Sequence, residues 1–172
     1  MPYPDWSSLS LGSDEQVYEV DDSQALRDAV AALAAQARRR IEVLTPDLEA
    51  TLYDTPDFLE AVRDLAIASS RTHLRFLVGD SQRAVKQGHR LIELARRLST
   101  PVDLNQPGPT AELGSEAFLL ADGRGLYWRA DTDSTRAIVC FNDPSGTRRL
   151  RHRFDQLWEE SRPDPEMRRL HV

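Results

Sequence analysis

The chain has 172 residues, the size of one ordinary domain that can bury a core without disulfides. Its single cysteine, Cys140, excludes an internal disulfide framework, and the first ten residues lack a signal-peptide pattern, so we expect a cytoplasmic protein. No apolar run approaches the roughly 20 residues that span a bilayer, and the formal net charge of −6 argues against general nucleic-acid binding.

Charge is distributed unevenly along the chain. Residues 1–24 carry six acidic side chains and no lysine or arginine, so they account for the whole net charge. We expect residues 1–15 to form an acidic, flexible tail. The stretch 83–97 holds five cationic side chains and one glutamate, which is typical of a solvated helix face or of an anion site. These opposite charges predict that residues 14–22 lie near the basic stretch.

The first half of the chain alternates between short apolar runs and amphipathic segments. The runs 16–20, 41–44 and 74–78 predict strands. Apolar residues recur every three or four positions after the capping signals at Asp22 and Thr55, which predicts helices over 23–40 and 56–69, and a further helix is predicted over 85–98. This order is typical of βαβ units. We therefore expect an α/β fold with a largely parallel sheet flanked by helices on both faces.

The second half has a different pattern. A strand at 102–104 and a loop at 105–110 precede predicted strands at 117–121, 126–129 and 137–141. A closing helix is predicted around Leu150, Phe154, Leu157 and Trp158, because their spacing places them on one helical face. Pro163 and Pro165 would end it. These elements define one domain over 16–162, followed by a C-terminal tail over 163–172.

The segment 115–123, with the sequence SEAFLLADG, resembles half of the active site of the phospholipase D superfamily. That family carries the motif H-x-K-x4-D on a strand followed by a glycine turn. Aligned on Asp122, the motif histidine falls on Ser115 and the motif lysine on Ala117. The resemblance implies a phospholipase D-like fold with a polar cleft at Ser115 and Ala117. The chain also resembles an uncharacterised bacterial domain of this superfamily, found alone or behind acetyltransferase domains of the GNAT type.

The missing motif residues imply that the domain is not catalytic. In active members the histidine attacks phosphorus and the lysine stabilises charge on the phosphoryl oxygens. An alternative is a phosphodiester or ester hydrolase with a replaced set of catalytic residues, for which the candidates are Asp80, His89, Ser115 and Asp122. A second alternative, which rests on the resemblance alone, is a regulatory or scaffolding module for an acetyltransferase.

A ligand or a protein partner is expected at the carboxyl edge of the strands, where open α/β sheets bind ligands. Asp47 and Glu49 follow one predicted strand, either as ligand-binding residues or as turn and helix caps. Arg83 follows the next strand, and Arg129 is expected to occupy part of the vacated pocket. His89 is expected to be a packing residue unless it serves the hydrolase. The four histidines match no metal signature. We expect no cofactor, metal or membrane contact, and a homodimer is one option.

Overall fold

A computed structural model describes residues 3–168, which form one eight-stranded mixed sheet with helices on both faces. The order across the sheet is β1-β7-β6-β5-β2-β3-β4-β8. The strands are β1 Val17–Val20, β2 Arg40–Thr45, β3 His73–Val78, β4 Val102–Gln106, β5 Ala117–Ala121, β6 Gly125–Arg129, β7 Ala137–Cys140 and β8 Arg162–Pro163.

The helices begin at capping residues that the sequence supplies. Thr55 Oγ1 accepts from the Phe58 N–H at 3.3 Å, and Asp143 Oδ1 accepts from the Gly146 N–H at 3.0 Å, each with a proline in the first turn. A short 3-10 helix covers Trp6–Ser8. The α-helices are α1 Ser23–Gln36, α2 Ala50–Tyr53, α3 Pro56–Ala68, α4 Gln82–Lys86, α5 Arg90–Arg97, α6 Pro144–Glu159 and α7 Pro165–Arg168.

The expectation of a largely parallel sheet is wrong, although the expected mixed α/β architecture is present. Only the β2–β3 and β3–β4 pairings are parallel, and the other five of the seven pairings are antiparallel. After β4 the chain folds into the antiparallel meander β5, β6 and β7, with a three-residue turn between β5 and β6 and a longer loop over 130–136 between β6 and β7. Helix α6 then carries the chain across the sheet to β8 at the edge beside β4.

Strand alternation divides the sheet into two faces. Ile41 and Val43 of β2 point to the side that α1, α3 and α5 cover, whereas Leu44 joins Phe118 and Phe154 beneath α6. The closing helix is therefore confirmed as part of the core. Among residues 3–168, no helix has the length and apolar character needed to cross a membrane.

The helix predicted over 85–98 is divided in two. Gly88 adopts φ of 68° after α4, a left-handed conformation that glycine reaches without steric cost. The chain then restarts as α5 directly after His89. The division matters for the site, because it turns His89 into a buried residue at the start of a helix.

Both terminal segments differ from the expectation of tails. Trp6 is buried, with its ring edge-on to Tyr18 and stacked near Phe141, and Met167 is buried near the other edge of the sheet. Residues 169–172 of the predicted C-terminal tail lie outside the described residues. The predicted approach of residues 14–22 to the basic stretch is wrong. Strand β1 occupies one edge of the sheet, whereas α5 packs on β4 near the opposite edge.

Candidate functional site

The loop after β2 places Glu49 at the carboxyl edge of the parallel strands. Leu48 is buried and adopts φ of 59°, which is uncommon for a residue other than glycine. Its N–H donates to Thr45 Oγ1 at 3.1 Å, and its carbonyl oxygen lies 2.9 Å from His89 Nε2. These two contacts hold the loop in a conformation that brings Glu49 to β6.

His89 uses both ring nitrogens for contacts inside the protein. The Leu91 N–H can only donate, and it donates to Nδ1 at 3.2 Å, so Nε2 carries the proton that is given to the Leu48 carbonyl. Burial lowers the pKa of His89 and outweighs the opposite effect of Asp54. The ring is therefore neutral, and both of its nitrogens are engaged in contacts within the chain.

Arg129 of β6 is the partner of Glu49. Their side chains are 9% and 15% exposed, and a guanidinium N–H of Arg129 donates to Glu49 Oε2. In the β5–β6 register Arg129 lies directly opposite Ala117. Ala117 is the residue that aligns with the motif lysine. Burial raises the pKa of the Glu49 carboxyl, while the bond from Arg129 opposes that rise. An arginine neutralised by a glutamate thus fills the space beside the lysine position.

Two tyrosines enclose this ion pair. Tyr53 of α2 and Tyr127 of β6 are both fully buried. Burial raises the pKa of each phenol, with Glu49 adding to the rise and Arg129 opposing it for both residues. Tyr127 shares a face of β6 with Arg129, because they are two residues apart in a strand. Both phenols therefore keep their protons across the physiological pH range.

The cluster contains buried polar atoms that have no hydrogen-bond partner among the described residues. They are Tyr53 Oη, Tyr127 Oη, Arg129 Nε and Glu49 Oε1. Native proteins satisfy most buried polar atoms, so four such atoms in one place require an explanation. They provide hydrogen-bond donors and an acceptor in the same small volume.

Asp122 lies at the other end of the hairpin and has a different environment. Its carboxylate accepts from the backbone N–H groups of Arg38, Arg39 and Arg40 at 2.8, 2.8 and 3.0 Å. The five residues of β5 separate it from the ion pair, a distance of about 17 Å at 3.3 Å per residue. The motif aspartate therefore anchors the chain at the start of β2.

The structure does not gather the other candidate residues into one catalytic group. Asp80 is exposed, and its carboxylate accepts from the Gln82 N–H at 3.0 Å. Arg83 is exposed on α4, and Asp47 is half-buried in the loop after β2. Ser115 is half-buried beside Asp131, where the Asp133 N–H and then Ser115 lower the pKa of Asp131. The expected cleft at Ala117 is filled, since Ala117 is fully buried.

Sequence reasoning missed the two tyrosines of the cluster. Tyr127 could have been predicted, because strand alternation places it on the same face of β6 as Arg129. Tyr53 lies on α2, whose four residues are too few to produce a helical period. Glu49 occupies the N-cap position of α2 but makes no side-chain capping bond, so the capping alternative does not describe it. Among residues 3–168, no three histidine, cysteine or acidic side chains are placed to hold a metal ion.

Comparison with models of protein families assigns the chain to a family. Residues 22–170 match the family described as "Domain of unknown function (DUF7931)". The chain belongs to this family. No curated protein matches the sequence. The match begins at the cap of α1, so the DUF7931 region includes the whole candidate site but excludes β1 and the packed segment around Trp6.

The DUF7931 domain is similar in fold to solved structures at low sequence identity. It resembles TrmBL2, an archaeal chromatin protein with a novel mode of DNA binding, with a TM-score of 0.64, 13% identity and coverage of 87% of this chain and 55% of TrmBL2. It therefore spans about half of the TrmBL2 chain. Nuc from Salmonella typhimurium, a phospholipase D family member, has a TM-score of 0.59, 13% identity and coverage of 88% of this chain and 99% of Nuc. NucT from Helicobacter pylori has a TM-score of 0.61, 10% identity and coverage of 87% and 98%. The fold is phospholipase D-like.

Proposed function

We propose that this DUF7931 domain is a non-catalytic phospholipase D-like domain that binds a ligand or a protein partner at the carboxyl edge of β2. The observation that carries the proposal is the Arg129–Glu49 pair beside Ala117. A motif lysine would offer an unpaired positive charge to a phosphoryl oxygen. Arg129 instead has its charge neutralised by a buried carboxylate, so its capacity to stabilise a second anion is reduced.

The candidate nucleophiles and bases lack the partners that a hydrolase requires. The ring of His89 donates through one nitrogen and accepts through the other, both within the chain. Ser115 stands beside the carboxylate of Asp131, whose lowered pKa makes it a weak proton acceptor. Asp122 is occupied by three backbone N–H groups. These contacts favour the binding role over the alternative hydrolase with Asp80, His89, Ser115 and Asp122.

The chemistry of the cluster indicates the kind of ligand. Two phenols and Arg129 Nε can donate hydrogen bonds, and Glu49 Oε1 can accept one. The net charge of the ion pair is zero. A small polar ligand that carries both donors and acceptors, or a partner side chain of that kind, would satisfy the atoms that are otherwise unpaired.

An activity assay tests the non-catalytic proposal. We expect the purified protein to hydrolyse neither a chromogenic phosphodiester nor a chromogenic carboxylic ester, with or without a divalent metal. Turnover that persists through purification and disappears in both Ser115→Ala and His89→Gln would replace this proposal with the hydrolase. Turnover unaffected by these changes would indicate a contaminating enzyme, which a separate preparation lacking the domain would reveal.

A binding assay tests the cluster itself. We expect small polar probes such as glycine or glycerol to raise the melting temperature of the wild type but not of Tyr127→Phe. The variant removes one hydroxyl without changing the shape of the ring, so the unliganded protein should be equally stable or up to about 1 kcal/mol more stable. Tyr18→Phe, in β1, is the matched control. Equal responses of all three proteins to every probe would contradict ligand binding at this cluster.

A further inference from the structure

Helix α6 presents a dense group of cationic side chains on the face of the sheet opposite the Arg129–Glu49 pair. Residues 144–154 contain four arginines and one histidine and no acidic residue. Arg151 and Arg153 have acidic neighbours in Asp155 and Glu116. Arg148 and Arg149 are exposed and form no ion pair within residues 3–168. The outer side of this helix therefore carries uncompensated positive charge.

The same end of the sheet adds further arginines. Thr147 Oγ1 donates to the Gly123 carbonyl at 2.7 Å, and the Asp143 N–H donates to the Arg124 carbonyl at 2.7 Å, so the β5–β6 turn adjoins the first turns of α6. The Asp122 carboxylate ties the exposed Arg38 and Arg39 to that turn. We define the arginine surface as the exposed side chains of Arg38, Arg39, Arg124, Arg148 and Arg149.

Acidic residues of the chain gather on the other face of the sheet. The exposed acids of α1 and α3 lie on the other face of the sheet and line a groove of about 1000 Å³ between the two helices. Asp14 and Glu15 precede β1 at the turn end of the hairpin, and Asp14 accepts from the N–H of Ser10, which lines a groove with Arg38 and Arg124. Arg38 also stands at the border of the groove between α1 and α3, and the formal charge of −6 is an average over regions of opposite local charge. Local charge rather than net charge determines whether a surface attracts a polyanion.

We infer that the arginine surface binds the phosphate backbone of nucleic acid without sequence specificity. Every cationic side chain of the surface is an arginine, whose planar guanidinium donates two parallel hydrogen bonds to a phosphate. Arg38 and Arg124 flank a groove of about 720 Å³ that is open to solvent. This inference departs from the expectation that the net charge suggested, and it does not depend on the proposed function of the Arg129–Glu49 cluster.

Other anionic partners fit the surface less well. A membrane surface would require a cluster of exposed apolar side chains, but the large exposed apolar residues among residues 3–168 are two separate ones, Val17 of β1 and Ile67 of α3. A second copy could place its acidic groove there. That contact would join two different faces, which builds a ring or an open chain of molecules rather than a symmetric dimer.

Fluorescence anisotropy with short labelled DNA, single- and double-stranded, tests the inference. At about 50 mM salt we expect dissociation constants near the micromolar range, weakening as salt rises to about 200 mM. Arg148→Gln with Arg149→Gln should weaken binding at least about fivefold and lower the salt slope by about 1 to 2. Arg63→Gln with Arg71→Gln removes the same charge from exposed positions outside the surface and should change neither quantity.

Three results would overturn the inference. Binding that stays undetectable above about 100 µM protein would exclude even non-specific affinity. An equal loss in the two double variants would mean that only the total charge matters. Tighter binding to phosphatidylglycerol vesicles than to DNA, with loss in the α6 variant, would assign the surface to a membrane instead. Thermal unfolding of each variant, expected to match the wild type because all four positions are exposed, keeps these outcomes separate from misfolding.

Discussion

The two ends of the β5–β6 hairpin have opposite hydrogen-bonding character. At the turn, Asp122 accepts from three backbone N–H groups and joins the hairpin to the start of β2. At the open end, Arg129 and Glu49 form an ion pair beside two tyrosine hydroxyls that have no hydrogen-bond partner within residues 3–168. At the turn the carboxylate has three donors, whereas the open end leaves donors and an acceptor unused.

This difference separates a structural contact from a polar cluster within one hairpin. Asp122 fixes backbone geometry at the turn, while Ser115 and Ala117 lie at the opposite end of β5. Stability and binding can therefore be perturbed independently at the two ends. Substitutions at the open end should depend strongly on charge and pH, whereas those at the turn should depend on backbone hydrogen bonds.

The largest effect is expected from Ala117→Lys. The new ammonium group would be buried directly opposite Arg129, so we expect the free energy of unfolding to fall by about 5 kcal/mol. In the Arg129→Ala background, the same lysine could pair with Glu49, and the double-mutant cycle should give a favourable coupling of about 2 kcal/mol. Ala130→Lys, at an exposed neighbouring position, is the control and should change stability by less than about 0.5 kcal/mol. Additive effects would mean that Ala117 and Arg129 do not compete for one site.

A slightly smaller effect is expected from Arg129→Met. Removing one partner of a buried ion pair leaves a buried charge and typically costs about 3–5 kcal/mol. Without Arg129, burial would raise the pKa of Glu49 further. A carboxyl whose folded-state pKa is raised loses stability as pH increases through that pKa, so the deficit in urea denaturation should be larger at pH about 8 than at pH about 5. Arg90→Met breaks the exposed pair with Asp54 and should cost less than about 1 kcal/mol at either pH. A deficit independent of pH would contradict the role of Glu49.

The sequence predicted the elements of the fold better than their pairing. Apolar periodicity located β2, β3, α1, α3 and α6, because burial on one face imposes that period. It could not predict that β5 runs antiparallel to β2, since a strand has the same alternation in either direction. The break at Gly88 was also missed, because α4 and α5 together continue the apolar spacing of a single helix.

The site was only partly accessible to sequence reasoning. The alignment on Asp122 placed Arg129 beside the lysine position. Glu49 was a candidate because it follows the predicted strand β2 at the edge where ligands are expected. Their pairing joins residues 80 positions apart and depends on the left-handed conformation of Leu48, which no local pattern indicates. The sequence could name candidate residues at the sheet edge, but it could not predict which of them the loop after β2 would bring into contact.

At the turn, Asp122→Ala is expected to lower the free energy of unfolding by about 2–3 kcal/mol, because three backbone N–H groups lose a charged acceptor. Asp122→Asn should recover part of this loss, since asparagine keeps one carbonyl oxygen and tolerates the φ of 54° at this position. Asp80→Ala removes a carboxylate that accepts one backbone N–H at an exposed position and should cost about 1 kcal/mol or less. Equal losses for the alanine variants would remove the contrast between the two ends.

The smallest effect is expected at His89, which connects the open end to α5 and should appear as a change in pH dependence. Burial lowers the pKa of the folded-state ring, with Asp54 opposing that shift. A histidine whose pKa is lower in the folded state than in the unfolded chain favours folding when it is neutral. This contribution to the free energy of unfolding is complete above the unfolded pKa of about 6.5 and is lost as pH falls through that value. The wild type should therefore lose stability between pH about 7 and pH about 5, and His89→Gln should lose less over the same interval, because glutamine can donate to the Leu48 carbonyl but cannot be protonated. His152→Gln replaces an exposed histidine and should leave the pH dependence unchanged. Parallel pH profiles for the wild type and His89→Gln would show that protonation of His89 is not what destabilises the loop carrying Glu49.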